Sequence, residues 1–278
     1  MKSYYKNIDG KITAKSIIED LYNSKYVLYE FIKRDLKILY TQSIFGPIFY
    51  ILFPLLQCGV FNFIINKFSG KTEIIDSTFI ELLICLIFWN LFSSNLVRGC
   101  GILIENFKII KKLYIPRLIF YITPFFSSFV TFIIQLFFFI SIYLFFNENI
   151  SIIDFSLKKF IVFLFLIFYV FVLYFSGSLF VSSISIKYRD LVYLVKFMIQ
   201  ILLFLSPVLY SLSSLDELSR LIIGLNPFSL VPELARWIFF DNNIYLNLIV
   251  YNLIFTFFFF ILSMYLFIKN EKNIADLL

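Results

Sequence analysis

Histidine is absent from all 278 residues. That removes the commonest general base and the commonest metal ligand. A Ser–His–Asp triad, a Cys–His pair and an H-E-x-x-H helix are excluded with it. Charge is scarce, at 15% of residues, against ~25% in an ordinary soluble domain. Three cysteines, Cys58, Cys85 and Cys100, sit in or beside apolar runs. An odd count without paired spacing offers neither a disulfide framework nor a zinc site. Eight glycines are scattered, and none forms a G-x-x-x-x-G-K-[ST] phosphate loop. Carboxylates cluster only as Glu19–Asp20 and Asp216–Glu217, which read as helix-start or loop charges. No buried carboxylate relay of the kind used by ion-coupled pumps is visible. The chain is therefore not expected to hydrolyse a nucleotide or carry a catalytic centre. Active transport through it would need energy from a partner.

What is abundant is hydrocarbon, since 61% of residues are hydrophobic and 22% aromatic. Crossing ~30 Å of membrane needs about 20 mostly apolar helical residues. Six runs qualify, at 43–66, 78–97, 117–146, 160–186, 191–211 and 244–268. The expectation is an all-α integral membrane protein with six spans. A segment 1–42 precedes the 43–268 bundle and a tail 269–278 follows it. The first 40 residues have mixed charge and no short apolar core before a small-residue cleavage site, so they are not expected to be a signal peptide. Lys and Arg set the orientation. Eight lie in 1–42, five in 98–117, three in 187–196 and two in the tail, against six in the opposite loops. Both termini are thus expected on the cytoplasmic side.

Four segments do not span. At ~100° per residue, 16–40 gathers Ile17, Ile18, Leu21, Leu28, Phe31, Ile32, Leu36 and Leu39 on one arc, opposite Glu19, Glu30, Lys33, Arg34 and Lys37. This predicts an amphipathic helix lying on the membrane surface, apolar face down. Asp35 is the misfit, set in the middle of the apolar stripe. In RGCGILIENFKIIKKLYIPR, Gly99 and Gly101 should loosen the start, and Pro116 opens the next helix. Between them a charged helix of about three turns would carry Glu105, Asn106, Lys108, Lys111 and Lys112. It reads either as a solvated connector or as a dock for another protein. KYRD, with Lys187, Arg189 and Asp190, is a tight turn that anchors topology or touches a cytoplasmic partner. Finally, Asn226, Pro227 and Pro232 cut 212–240 into two apolar pieces too short to span. These suit external re-entrant or interfacial helices, on which Glu233 and Arg236 could pair.

Several stretches together resemble one family. KRDLKILYTQSIFGPIFYILFPLLQ resembles its lead into the first span, through Arg34 and Asp35. IFWNLFSSNLV and ENFKIIKKLYIPR resemble its second span and the following Tyr-x-Pro-Arg, here Tyr114, Pro116 and Arg117. Ile115 replaces the commoner Phe in that motif. KYRDL, LSPVLYSLSSL, LNPFSLVPELARW and EKNIADLL resemble its later landmarks in order, so that the likeness covers 33–278. The family is the permease subunit of ABC exporters for cell-surface polysaccharides, such as O-antigen, capsule and teichoic acid. The resemblance implies a homodimer in the bacterial cytoplasmic (inner) membrane with two copies of a nucleotide-binding ATPase subunit. ATP and Mg would be held by that partner, and no cofactor by this chain. The cargo would be a lipid-linked polysaccharide among membrane lipids; nucleic acid has no part. By position, 16–40 would be the interface helix, 104–114 the coupling helix and 215–223 with 231–240 the external gate. Tyr114, Arg117 and the KYRD charges would join the coupling set. Aromatic rings stack on sugar faces without fixing a register. Phe45, Phe49, Tyr50, Phe53, Phe88 and Trp89 are therefore candidates for a translocation path. A small-molecule or drug efflux permease of the same architecture is the alternative. A lipid-linked glycosyltransferase would need an acidic or histidine cluster that the chain lacks.

Overall fold

The computed structural model describes residues 14–41, 48–69, 77–112, 115–146, 156–185 and 187–277. Within them all regular structure is helical. The helices are α1 (Ala14–Asn23), α2 (Lys25–Thr41), α3 (Ile48–Ser69), α4 (Ser77–Glu105), α5 (Phe107–Lys112), α6 (Leu118–Phe146), α7 (Leu157–Ser185), α8 (Asp190–Leu205), α9 (Glu217–Gly224), α10 (Leu230–Phe240) and α11 (Leu246–Leu277). Short 3-10 turns cover Leu212–Ser214 and Pro227–Ser229.

Five helices, α3, α4, α6, α7 and α11, are long and apolar enough to cross a membrane. They answer to five of the six predicted runs. The sixth, 191–211, is shorter than expected. Helix α8 has 16 residues, about 24 Å at 1.5 Å per residue. It stops because Pro207 forces the preceding residue out of the helical region. Ser206 is accordingly extended, with φ −101° and ψ 145°. The backbone that follows is sealed by protein, as a low-dielectric setting demands. Ser206 Oγ donates to the Leu202 carbonyl at 2.6 Å and accepts from Asn226 Nδ2 at 2.8 Å.

Helix α4 is the axis of the bundle. Most of its apolar length is buried inside the chain, whereas α3, α6 and α11 leave most of theirs on the outside. Lipid-facing surfaces should be apolar and interhelical seams should use small residues, and the α4–α7 seam does. A Cβ on Gly99 would lie 2.5 Å from Ser178 Cβ and 3.0 Å from the Tyr174 ring. One on Gly177 would lie 2.9 Å from Leu96 Cδ1. Gly99 and Gly101, expected to loosen a loop, instead lie inside α4, which runs unbroken to Glu105. Their lack of a side chain serves close approach, not chain breaking. Tyr174 on α7 donates to the Tyr121 carbonyl of α6, joining the third helix to the seam.

The amphipathic segment forms two helices with a turn at Ser24. Its apolar stripe faces the bundle. Phe31 packs against Phe120 of α6, ring centroids 5.3 Å apart, and Leu21 also joins the core. The outward face carries Tyr22, Tyr26 and Tyr29, all exposed. Part of the stripe is thus buried on the protein's own α6, while Leu28, Ile32 and Leu36 remain half-buried. Ile17, Ile18 and Leu39 lie outside the described side chains.

Candidate functional site

The candidate residues fall at two ends of α4. At the α5 end, Glu105 is the last residue of α4 and is exposed. Asn106 makes the break. Its side chain donates back to the Ile102 carbonyl at 2.9 Å, while its own carbonyl accepts from Ile109 and Ile110. The expected three-turn helix is therefore split, leaving α5 with six residues. Lys108, Lys111 and Lys112 on α5 are exposed. Lys111 Nζ lies 4.3 Å from the Phe107 ring centroid, a cation–π contact that stiffens so short a helix. Arg117 is half-buried where α6 begins; Tyr114 lies outside the described residues.

The same end holds the KYRD turn. Lys187, Tyr188, Arg189 and Asp190 are all exposed, and Asp190 complements the positive start of α8. A Cβ on Gly101 would meet Val192 of α8 and Glu105 at 3.4 Å. Ser185 Oγ donates to the Cys100 carbonyl. Two segments about 80 residues apart in sequence thus carry exposed charges at the same end of the bundle.

Arg34 and Asp35 belong to this end through a residue that sequence reasoning counted only as a loop charge. Arg98, on α4, places Nη2 2.9 Å from Asp35 Oδ2 and Nη1 3.3 Å from Ser127 Oγ on α6. Arg34 Nη2 holds the other carboxylate oxygen at 2.9 Å. The misfit of Asp35 in an apolar stripe was the available signal; its partner is 63 positions away.

At the other end, Asn226, Pro227, Pro232, Glu233 and Arg236 gather around α9 and α10. These two helices fall within a residue or so of 215–223 and 231–240, apart from the slightly later start of α9. Asn226 caps the 3-10 turn by accepting from Phe228 N–H. Pro227 starts that turn, and its carbonyl accepts from Tyr169 Oη at 2.7 Å. Pro232 does not cut the helix; it lies in the first turn of α10, where no N–H is required. Arg236 is 2% exposed and pairs with Glu233 Oε1 at 3.4 Å, as the spacing predicted. It also donates to the Pro207 and Val208 carbonyls at 2.7 and 2.9 Å. Nε faces Glu81 Oε2 of α4 at 3.6 Å. Glu233 accepts from Leu212 N–H at 3.1 Å. Burial pushes its carboxyl above the ordinary range, against the pull of that N–H and of Arg236.

The aromatic set is divided. Phe49 and Phe53 of α3 are each 51% exposed, while Tyr50 is half-buried, its carbonyl accepting from Gln135 Nε2. Phe88 and Trp89 are interior. Phe88 packs on Phe132 at 5.1 Å and Trp89 on Phe228 at 5.0 Å. In the single chain these two are core residues and face no open surface. Phe45 lies outside the described residues. Among the described residues no group of three or more Cys, Asp or Glu side chains is placed to hold a metal.

A bundle of five helices long and apolar enough to cross a membrane is that of a multi-pass membrane protein. The family model for the ABC-2 type transporter matches residues 26–240, and the chain belongs to that family. It is thus a membrane permease component of an ABC transporter, a class that pairs with a separate ABC ATPase subunit. No curated protein matches the chain.

Proposed function

We propose that this permease exports lipid-linked, cell-surface polysaccharide across the bacterial cytoplasmic membrane, as a homodimer joined to two copies of a nucleotide-binding subunit. It would cross six times, α8 being the short fifth span, with both termini cytoplasmic. The exposed basic helix α5, hanging from the most enclosed helix of the bundle beside the exposed turn 187–190, carries the reading. A cationic element joined to the core helix through the single residue Asn106 is a suitable receiver of force from another protein. ATP and Mg belong to that partner. Helices α9 and α10 would form the external gate, the outward Leu218, Leu221, Ile222 and Leu225 resting at the membrane interface. Phe49 and Phe53 support a sugar-facing surface once a second copy is present.

Charge reversal at Lys111 and Lys112 should abolish copurification of the ATPase subunit from native membranes, while the permease itself stays at its normal level. Unchanged association would remove α5 as the dock. Deleting the gene should make lipid-linked glycan accumulate inside the cell. If a small amphipathic compound accumulates instead and surface glycan is normal, the chain is a small-molecule exporter of the same architecture.

A further inference from the structure

An ionisable side chain within an apolar helix calls for a partner. Arg98, half-buried, has two. It is the one cation in the α4 sequence, and its guanidinium contacts two other helices at once. Nη2 reaches Asp35 on α2 at 2.9 Å, and Nη1 reaches Ser127 on α6 at 3.3 Å. Asp35 is 7% exposed and takes Arg34 on its second oxygen. One helical turn before it, Phe31 is packed on Phe120. The α2 helix is thus held by an apolar contact and a charged one, both on the face turned toward the bundle.

Arg98 lies seven residues before Glu105, where α4 gives way to α5, about 10 Å along the same helix. Nothing breaks α4 between the two points. A push on α5 that tilts the end of α4 must move Arg98, and Arg98 grips α2. We propose that Arg98 and Asp35 are positioning residues for energy coupling: their ion pair is the joint through which a displacement of the α4–α5 arm is passed to the α2 helix. This rests on reading α5 as the element that receives an ATPase. The pair suits a joint because Asp35 is buried: moving Arg98 away leaves that carboxylate with only its neighbour Arg34, so the helices are favoured to move together. The planar guanidinium can hold a carboxylate and a hydroxyl simultaneously, which an ammonium cannot do with the same geometry.

Two measurements test the joint. In the purified full-length chain without any ATPase subunit, diluted with excess unlabelled chain so that a dimer carries at most one labelled copy, spin labels on Tyr29→Cys and Lys108→Cys should give one narrow distance. The native cysteines are buried, so labelling is confined to the introduced sites. Asp35→Asn or Arg98→Gln should broaden or split that distance, and an unchanged distribution overturns the joint. In cells expressing unlabelled variants, the copurified ATPase subunit and its ATP hydrolysis should stay near the wild-type level. Periodate-labelled carbohydrate on intact cells should fall about tenfold. The exchanged pair Asp35→Arg with Arg98→Asp should recover most of it. Wild-type transport in the neutral variants, or an exchange that restores protein level but not transport, overturns the proposal. If no ATPase copurifies with the wild type, the functional reading fails in that arm, while the label distances still judge the joint.

Discussion

At Arg236 a guanidinium that is 2% exposed meets two carboxylates and two backbone carbonyls. The attraction between these groups is strong because water is excluded, and for the same reason the arrangement cannot tolerate a missing member. Removing the cation leaves Glu81 and Glu233 facing each other and strips donors from Pro207 and Val208. Arg236→Met should therefore cost about 3 kcal/mol of stability, read as a lower melting temperature in detergent. In a Glu81→Gln, Glu233→Gln background the same substitution should cost markedly less, since no stranded charge remains. Equal costs in both backgrounds would mean that the charges are not coupled. The Glu233–Arg236 pairing was legible from a three-residue spacing. The two carbonyls were not, because they come from a strand of backbone freed only when Pro207 ends α8.

At the scale of helices, the α4–α7 crossing sets how closely the two most buried spans approach. The Gly99 site offers no room, since even a methyl there would overlap Ser178 Cβ at 2.5 Å. Neither atom is the tip of a flexible side chain, so the helices themselves must part. Gly99→Ala should destabilise the protein by about 1–3 kcal/mol, seen as reduced yield and melting temperature. Combining it with Ser178→Gly should restore most of the loss by deleting the opposing Cβ. The long apolar runs behind α3, α4, α6, α7 and α11 were readable because length and hydropathy alone decide whether a helix can span. The reading failed where tertiary packing decides. Two glycines in RGCG look like a loop until α7 lies against Gly99 and α8 against Gly101. The stripe on α2 gives no sign that Phe31 will pack on Phe120 of α6. Likewise, no local rule pairs Asp35 with a residue 63 positions on.

For the molecule as a whole, the open point in the topology is α8. Its helical length of about 24 Å is about 6 Å short of the hydrocarbon thickness. Two extended residues supply about 6.6 Å, and Ser206 is extended where the helix ends. The following segment is buried against α10 through Arg236 and need not be solvated. A short helix continued by sealed extended chain can therefore cross. Six crossings then place the turn at Lys187 and the turn at Ser213 on opposite sides; five would place them together. Both residues are exposed, and all three native cysteines are buried. An impermeant thiol reagent should label Ser213→Cys in intact cells. Lys187→Cys and Lys112→Cys should react only after the membrane is opened. Labelling of Ser213→Cys and Lys187→Cys from the same side would make α8 a re-entrant helix and put α11 across the membrane in the opposite direction. The final helix would then begin, not end, in the cytoplasm, and α9 and α10 would sit on the same side as α5.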